Sequence, residues 1–116
     1  MSESSVILKN TDLYGAGIGE GLVVLITNTS PSPNRFALSV AYKIIGRQLG
    51  KVIDAPDVLI FEGNNVIAGL VGFLDSKFRM KRDVNTSLRI GLATATGSIL
   101  GAELVTRLNI EEKILL

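Results

Sequence analysis

The segment GLVVLITNTSPSPNRFALSVAYKII, residues 21–45, constrains the fold more than any other part of the chain. Its apolar run at 22–27 is rich in β-branched residues, which is typical of a central strand covered on both faces. A polar turn follows at 28–34, where Ser32 before Pro33 predicts a helix N-cap and a first helical residue. The segment therefore predicts a strand, a turn and a helix in direct succession.

The helix that is expected after this turn is amphipathic. Its apolar face carries Phe36, Val40, Ile44 and Ile45. Its cationic residues fall elsewhere on the helix and are Arg35, Lys43 and Arg47. This pattern predicts that the apolar face packs against the rest of the protein. Gly50 stands where a C′ glycine would end the helix.

Two further segments have the pattern of buried strands, at 57–63 and at 88–94. The segments at 64–74 and 96–116 have helical patterns, the second either throughout or with a short strand at its end. An alternation of strands and helices argues for a parallel sheet with right-handed crossovers. The sequence therefore predicts an α/β protein, a three-layer α/β/α fold with a mostly parallel sheet, and a single domain over residues 1–116.

The N-terminal residues 1–21 are expected to form a flexible or hairpin extension, with a short strand at 6–8 and a glycine-rich loop at 10–21. The loop contains GAGIGEG, but the last glycine of a dinucleotide fingerprint is replaced by Glu20, and no P-loop lysine follows. The segment also leads into a predicted strand rather than a helix. A mobile loop is therefore favoured over an anion cradle.

The chain contains no cysteine and no histidine. It therefore has no disulfide, no thiol nucleophile and no imidazole that could act as an acid, a base or a metal ligand. We expect no catalytic residue, no metal site and no cofactor, which favours a protein that is not an enzyme. A net charge of +1 and an aromatic content of 5% argue against nucleic-acid binding.

The mean hydropathy of +0.39 is high for a soluble monomer and predicts apolar surface buried against another copy or a partner. The longest apolar run, at 66–74, has about half of the roughly 18 residues that a membrane span needs. The N-terminus lacks the basic start and the long apolar core of a signal peptide. We therefore expect a cytoplasmic protein that forms oligomers and does not bind a membrane.

Polar residues follow each of the three main predicted strands. The carboxyl ends of parallel strands share one edge of a sheet, where open α/β sheets usually bind ligands. Hydroxyl and amide groups beside a helix N-terminus suit a small molecule or a phosphate. The candidate ligand-binding residues are Asn28, Thr29, Ser30, Ser32, Glu62, Asn64, Asn65, Thr94, Thr96 and Ser98. The alternative is that these residues only cap helices and form turns.

The strand, the Ser/Pro turn, the helix NRFALSVAYKI and the run DVLIFEGNNVIAGLVG resemble the DsrE/DsrF-like sulfur-relay proteins over residues 22–72, with a weaker continuation through 88–104. The resemblance implies a small α/β protein that assembles into dimers, trimers or hexamers. Active members carry a persulfide on a cysteine near the third strand, where this chain has Leu-Ala-Thr-Ala-Thr at 92–96. The implied function is a non-catalytic, self-associating accessory subunit of a sulfur-relay complex, either a homo-oligomer or one of several paralogous subunits.

A second resemblance links EGNNVIAGLVGFL and RIGLATATGSILGAELVTRLNIEE to the C-terminal end of PfkB-type sugar kinases. Those kinases have a catalytic aspartate in a Gly-Ala-Gly-Asp turn, and Asn64 stands in its place here. An amide cannot accept the hydroxyl proton, so this resemblance implies an inactive fragment. The alternative function, independent of either family, is a small-molecule or phosphate-binding protein, or an enzyme, that uses the polar loops named above.

Overall fold

The computed structural model describes residues 7–110 and 113–115, and four helices account for most of them. The elements are β1 (Ile7–Lys9), α1 (Asn10–Thr27), α2 (Pro33–Val52), α3 (Asp57–Leu74), α4 (Val84–Arg107) and β2 (Lys113–Leu115). Helix α3 continues into a π-helical turn at Asp75–Arg79. The two short strands pair antiparallel, with Ile7 opposite Leu115.

The four helices form an up-down-up-down bundle in which sequence neighbours are antiparallel and α4 packs back on α1. The direction of α4 against α1 follows from two close approaches, since Gly97 lies beside Gly19 and Gly101 lies beside Gly15. The bundle places the α1–α2 and α3–α4 connections at one end. The α2–α3 connection, the start of α1 and the end of α4 lie at the other, which we call the β-ribbon end.

Glycine makes the contact between α1 and α4 possible. Gly15 and Gly19 lie on one face of α1, and Gly97 and Gly101 lie on one face of α4, because residues four apart share a helix face. A Cβ atom on Gly97 would overlap the backbone of Gly19, and one on Gly101 would overlap the backbone of Gly15. The two backbones therefore touch directly, as in helix pairs with the G-x-x-x-G spacing.

The predicted three-layer α/β/α fold is wrong. The predicted strands at 22–27, 57–63 and 88–94 lie within α1, α3 and α4, and the segment at 10–21 is the first part of α1 rather than a loop or a hairpin. A short continuous apolar run does not distinguish a buried strand from a helix. Gly15 and Gly19 of α1 serve close helix packing instead of a turn. The helical fold also conflicts with the DsrE/DsrF-like resemblance, which implied an α/β protein.

Local signals in the sequence were more reliable. Ser32 is the N-cap of α2, where its Oγ accepts a hydrogen bond of 3.1 Å from the backbone nitrogen of Arg35, and Pro33 is the first helical residue. Helix α2 continues past Gly50 to Val52, so the predicted stop is wrong. The expected strand at 6–8 corresponds to β1 within the described residues, and the segment from 96 does include a helix followed by a short strand.

The bundle has a polar interior and an apolar exterior. Arg35, Lys43 and Arg47 are buried, with 1%, 3% and 8% of their surfaces exposed, whereas Ile45 of the apolar face of α2 is 49% exposed. The expectation that this apolar face packs inside is therefore wrong for Ile45. The buried apolar side chains of the described residues are mostly small, namely Ala16, Val23, Ala68, Ile90, Ala93 and Val105.

Candidate functional site

Helix α2 presents a stripe of polar side chains to the interior. Its members recur at every fourth residue and are Arg35, Ser39, Lys43 and Arg47. Because four residues are slightly more than one turn, such a series stays on one side of the helix. The stripe extends for about 18 Å along the bundle at 1.5 Å per residue. The interior is therefore charged over most of its length.

One cluster of charges lies at the loop end of this stripe. The guanidinium of Arg35 donates to both carboxylate oxygens of Glu20, from Nη2 to Oε1 at 2.7 Å and from Nε to Oε2 at 2.8 Å. Asp75 accepts a bidentate pair of hydrogen bonds from Arg79 and lies 3.9 Å from Arg35 Nη1. The π-helical turn directs Asp75 and Ser76 inward, and both are buried. Each carboxylate of this cluster is paired.

A second cluster lies towards the β-ribbon end. Asp12 accepts two hydrogen bonds from Arg47, of 3.0 Å from Nη1 to Oδ1 and of 2.8 Å from Nη2 to Oδ2. Lys43 lies one helical turn before Arg47 and packs against α1, where a Cβ on Gly15 would come within 2.7 Å of its Nζ. A side chain at position 15 would therefore displace this ammonium group. The cluster contains two buried cations and one buried carboxylate.

A cavity of about 510 Å³ opens beside the second cluster, at the β-ribbon end. Asn65 of α3 and Ser98 of α4 line it, and the Ser98 hydroxyl donates to Asn65 Oδ1 at 2.7 Å. The Asn65 Nδ2 group is buried and has no hydrogen-bond partner among the described residues. The charged residues of the lining are Lys9, Asp12, Lys43, Arg47, Lys51 and Asp57. The cavity therefore combines a polar floor with an excess of cationic side chains.

The structure brings only some of the sequence-predicted site residues together. Asn64, Asn65 and Ser98 all line the cavity, although they lie on α3 and α4 rather than at strand ends. Asn64 Nδ2 donates to the backbone oxygen of Lys43 at 3.1 Å, which ties α3 to α2. The candidate ligand role of these three residues stays a prediction.

The other predicted residues are dispersed. Those of the α1–α2 connection are Asn28, Thr29, Ser30 and Ser32, at the opposite end of the bundle. There Asn28 ends α1 in the left-handed region with φ of 57°, and Ser32 accepts a hydrogen bond from Arg79. In α4, Thr94 is buried and donates to the backbone oxygen of Ile90, while Thr96 is exposed. Glu62 is exposed on α3. These residues do not share an edge of a sheet, because the predicted strands at 22–27, 57–63 and 88–94 are helical.

Sequence reasoning missed the buried charges, which are Asp12, Glu20, Arg35, Lys43, Arg47 and Asp75. One signal was present, because Arg35, Ser39, Lys43 and Arg47 share a four-residue spacing. A stripe of this kind normally indicates a solvated helix face, so it pointed outward for a protein in water. Within the described part of the chain, no group of three or more His, Cys, Asp and Glu residues is placed to hold a metal ion.

No family model, curated protein or solved structure matches the chain. These comparisons bear neither for nor against the resemblance to PfkB-type kinases. The function is therefore argued from the geometry, which offers paired buried charges, a polar cavity and an apolar exterior. This arrangement is suited to binding a charged solute away from bulk water.

Proposed function

We propose that this chain is an integral membrane protein whose four-helix bundle binds a small charged solute and conducts it along its interior. The observation that carries the proposal is a belt without exposed charge around the bundle. The belt comprises residues 13–27, 36–50, 63–76 and 90–102 of the four helices. The charged residues within it are Glu20, Lys43, Arg47 and Asp75, and all four are buried.

Lipid accounts for the exterior of the belt better than a single protein partner does. Large apolar side chains are exposed on every helix, for example Leu25, Leu49, Leu70 and Leu92, at 81%, 59%, 53% and 69%. A dimer contact covers one side of a bundle, whereas a bilayer covers all sides at once. Oligomers within or outside a membrane stay a prediction, but one neighbouring copy leaves most of this surface in contact with water.

The helix lengths are consistent with a bilayer. The four helices have 18 to 24 residues. At 1.5 Å per residue this is about 27–36 Å, close to the roughly 30 Å of a hydrocarbon core. By length and apolarity, Asp57–Arg79 and Val84–Arg107 qualify as membrane spans, and only 17% and 44% of their apolar windows are buried. A core helix of a soluble protein is mostly buried, so these low buried shares support the assignment of both as spans.

The charged interior supports a role in handling ions. Ionisable groups in a membrane are costly, face the inside of a bundle, pair with one another and commonly mark a substrate or ion pathway. Here the Glu20–Arg35 and Asp12–Arg47 pairs neutralise most of the interior charge, and the stripe of α2 joins them. A charged solute inside the bundle would move by contacting one polar side chain of this stripe after another, and it would not enter lipid.

The distribution of charge at the two ends predicts an orientation. Five cations and one acid lie near the α3–α4 connection, namely Lys77, Arg79, Lys81, Arg82, Arg89 and Asp83. Between residues 7 and 110, the β-ribbon end has five acids and three cations outside the belt, namely Asp12, Asp54, Asp57, Glu62, Glu103, Lys9, Lys51 and Arg107. Because cytoplasmic loops carry an excess of Lys and Arg, we expect the α3–α4 connection in the cytoplasm.

The absence of native cysteine makes the proposal simple to test. Single cysteines at Arg82, Ile53 and Leu92 would report the α3–α4 connection, the α2–α3 connection and the middle of the belt. An impermeant maleimide added to intact cells should label only Ile53→Cys. Arg82→Cys should react after the cells are opened, and Leu92→Cys only after denaturation in detergent.

Fractionation separates this proposal from its main competitor. The protein should stay in the membrane pellet after an alkaline carbonate wash. Recovery in the aqueous fraction as a particle of defined mass would refute membrane insertion and would favour a self-associating protein in water. Equal labelling of all three cysteines in opened cells without denaturant would refute it as well.

A further inference from the structure

We infer that the cavity at the β-ribbon end is a binding site for a small inorganic anion, held by Lys43 and Asn65. The inference rests on the proposed function and deepens it, because it assigns the sign of the charge that the solute carries. Two side chains that line this cavity carry buried donors without a hydrogen-bond partner among the described residues, and the charge balance around them is positive.

Lys43 supplies the charge. Its side chain is 3% exposed, yet its ammonium group makes no hydrogen bond or ion pair among the described residues. The nearby carboxylate of Asp12 is already engaged by both terminal nitrogens of Arg47. Lys43 and Arg47 therefore share one carboxylate, and the net positive charge that remains is costly in a medium of low dielectric constant. An anion in the cavity removes that cost.

Asn65 supplies a directed donor. Its carboxamide oxygen accepts the Ser98 hydroxyl, and Nδ2 of this cavity-lining side chain is buried without a hydrogen-bond partner among the described residues. A buried donor that lacks a partner costs about 1–3 kcal/mol. Both open groups are donors, so the molecule that satisfies them must offer acceptor atoms. A water molecule could accept the amide hydrogen bond, but it could not neutralise the ammonium charge.

The rest of the lining favours an anion over a cation. Of its six charged residues four are cationic, and one of the two carboxylates, Asp12, is held by Arg47. Lys9 and Lys51 are placed to attract an anion towards the ammonium group. The volume of about 510 Å³ admits a hydrated inorganic anion. Chloride, nitrate and phosphate share this chemistry and are the probes to compare.

The full chain, purified in a mild detergent in gluconate buffer, provides the test. Adding chloride, nitrate or phosphate should raise Tm with saturation for at least one of them, because a ligand that binds only the folded state stabilises it. Lys43→Met should weaken binding of that anion at least tenfold, and Asn65→Leu several-fold. Lys77→Met is the matched control at the opposite end of the bundle and should bind as the parent protein does.

Two further measurements, chloride-35 NMR of the unaltered protein and of Asn65→Leu, test the inference if Lys43→Met does not fold. Chloride-35 NMR of the unaltered protein should show line broadening that the better-bound anion displaces, and Asn65→Leu should reduce it. No anion-dependent change in Tm or line width, or equal changes in the Lys43→Met and parent proteins, would overturn the inference. Anion binding by a protein found in the aqueous fraction would uphold the site and refute only the membrane role.

Discussion

The contact between α1 and α4 gives the sharpest prediction about stability. A Cβ atom on Gly97 would lie within 2.5 Å of the Gly19 backbone, and one on Gly101 equally close to the Gly15 backbone. Carbon atoms in normal contact are about 3.5–4.0 Å apart. A single alanine at either position therefore forces the two helices apart by more than about 1 Å. The atoms that it would meet belong to the backbone, which cannot relieve the overlap by changing a side-chain rotamer.

The loss of stability can be estimated from the packing that this separation would disturb. Overpacking of a well-packed interface typically costs about 1–3 kcal/mol. The intrinsic preference of a helix for alanine over glycine returns up to about 1 kcal/mol. At Gly97 and Gly101 we expect the overlap to prevail, so each variant should lose about 1–2 kcal/mol in the free energy of unfolding. The separation would also displace Lys43, which packs on Gly15.

Gly21 is the matched control, because it lies in α1 and a Cβ atom there would meet nothing within 4 Å. Gly21→Ala should stabilise the protein by about 0.5–1 kcal/mol through helix propensity alone. Unfolding in mixed detergent micelles of increasing SDS content, followed by circular dichroism, measures all three variants on one scale. If the alanines at positions 97 and 101 were as stabilising as the alanine at 21, α1 and α4 would not pack backbone to backbone.

Two further predictions concern charge. Asp12→Asn removes the carboxylate beside two buried cations and should lower the free energy of unfolding by about 3–5 kcal/mol in the same measurement. The control is Glu103→Gln, which breaks an exposed ion pair and should cost less than about 1 kcal/mol. Similar losses of stability in the two variants would contradict the burial of Asp12. Hydrogen bonds from Thr86 hold the pKa of the N-cap Asp83 below its ordinary 3.8, so its carboxylate stabilises the start of α4 at a pH above 3.8 and ceases to do so as the pH falls through the lower folded-state pKa. The difference in Tm between the parent protein and Asp83→Asn should vanish over that range, and a difference that persists at lower pH would refute this role.

The sequence predicted those features that depend on neighbouring residues. Ser32 and Pro33 start α2 as expected, because an N-cap is a contact between a side chain and the next turn of backbone. The apolar runs at 22–27 and 88–94 were misassigned for a different reason. The helical period of 3.6 residues is recognised from a polar outer face that alternates with an apolar inner face. In this bundle apolar residues cover the exterior and glycine, serine and threonine lie inside, so that period is not visible in the sequence.

The candidate site shows the same limit. The prediction that Asn64, Asn65 and Ser98 stand at strand ends is wrong, although all three line one cavity through the packing of α3 on α4. The sequence pattern places Lys43 and Arg47 away from the packed face, because charge ordinarily marks the solvated side of a helix. Which side is solvated depends on the surrounding medium, and that information is not contained in a single helix.

Under the proposed membrane location, the four-residue stripe of α2 has a consequence for how the chain is inserted. Helix α2 is not expected to partition into lipid by itself, since Lys43 lies at the centre of its belt segment, where a cation opposes insertion by about 2.5–3.5 kcal/mol. The acidic partners of its buried arginines, Asp12 and Glu20, belong to α1, which is synthesised just before α2. The two helices would therefore have to enter the bilayer together, as a hairpin whose opposite charges are already paired. In this way α1 would make the insertion of α2 possible.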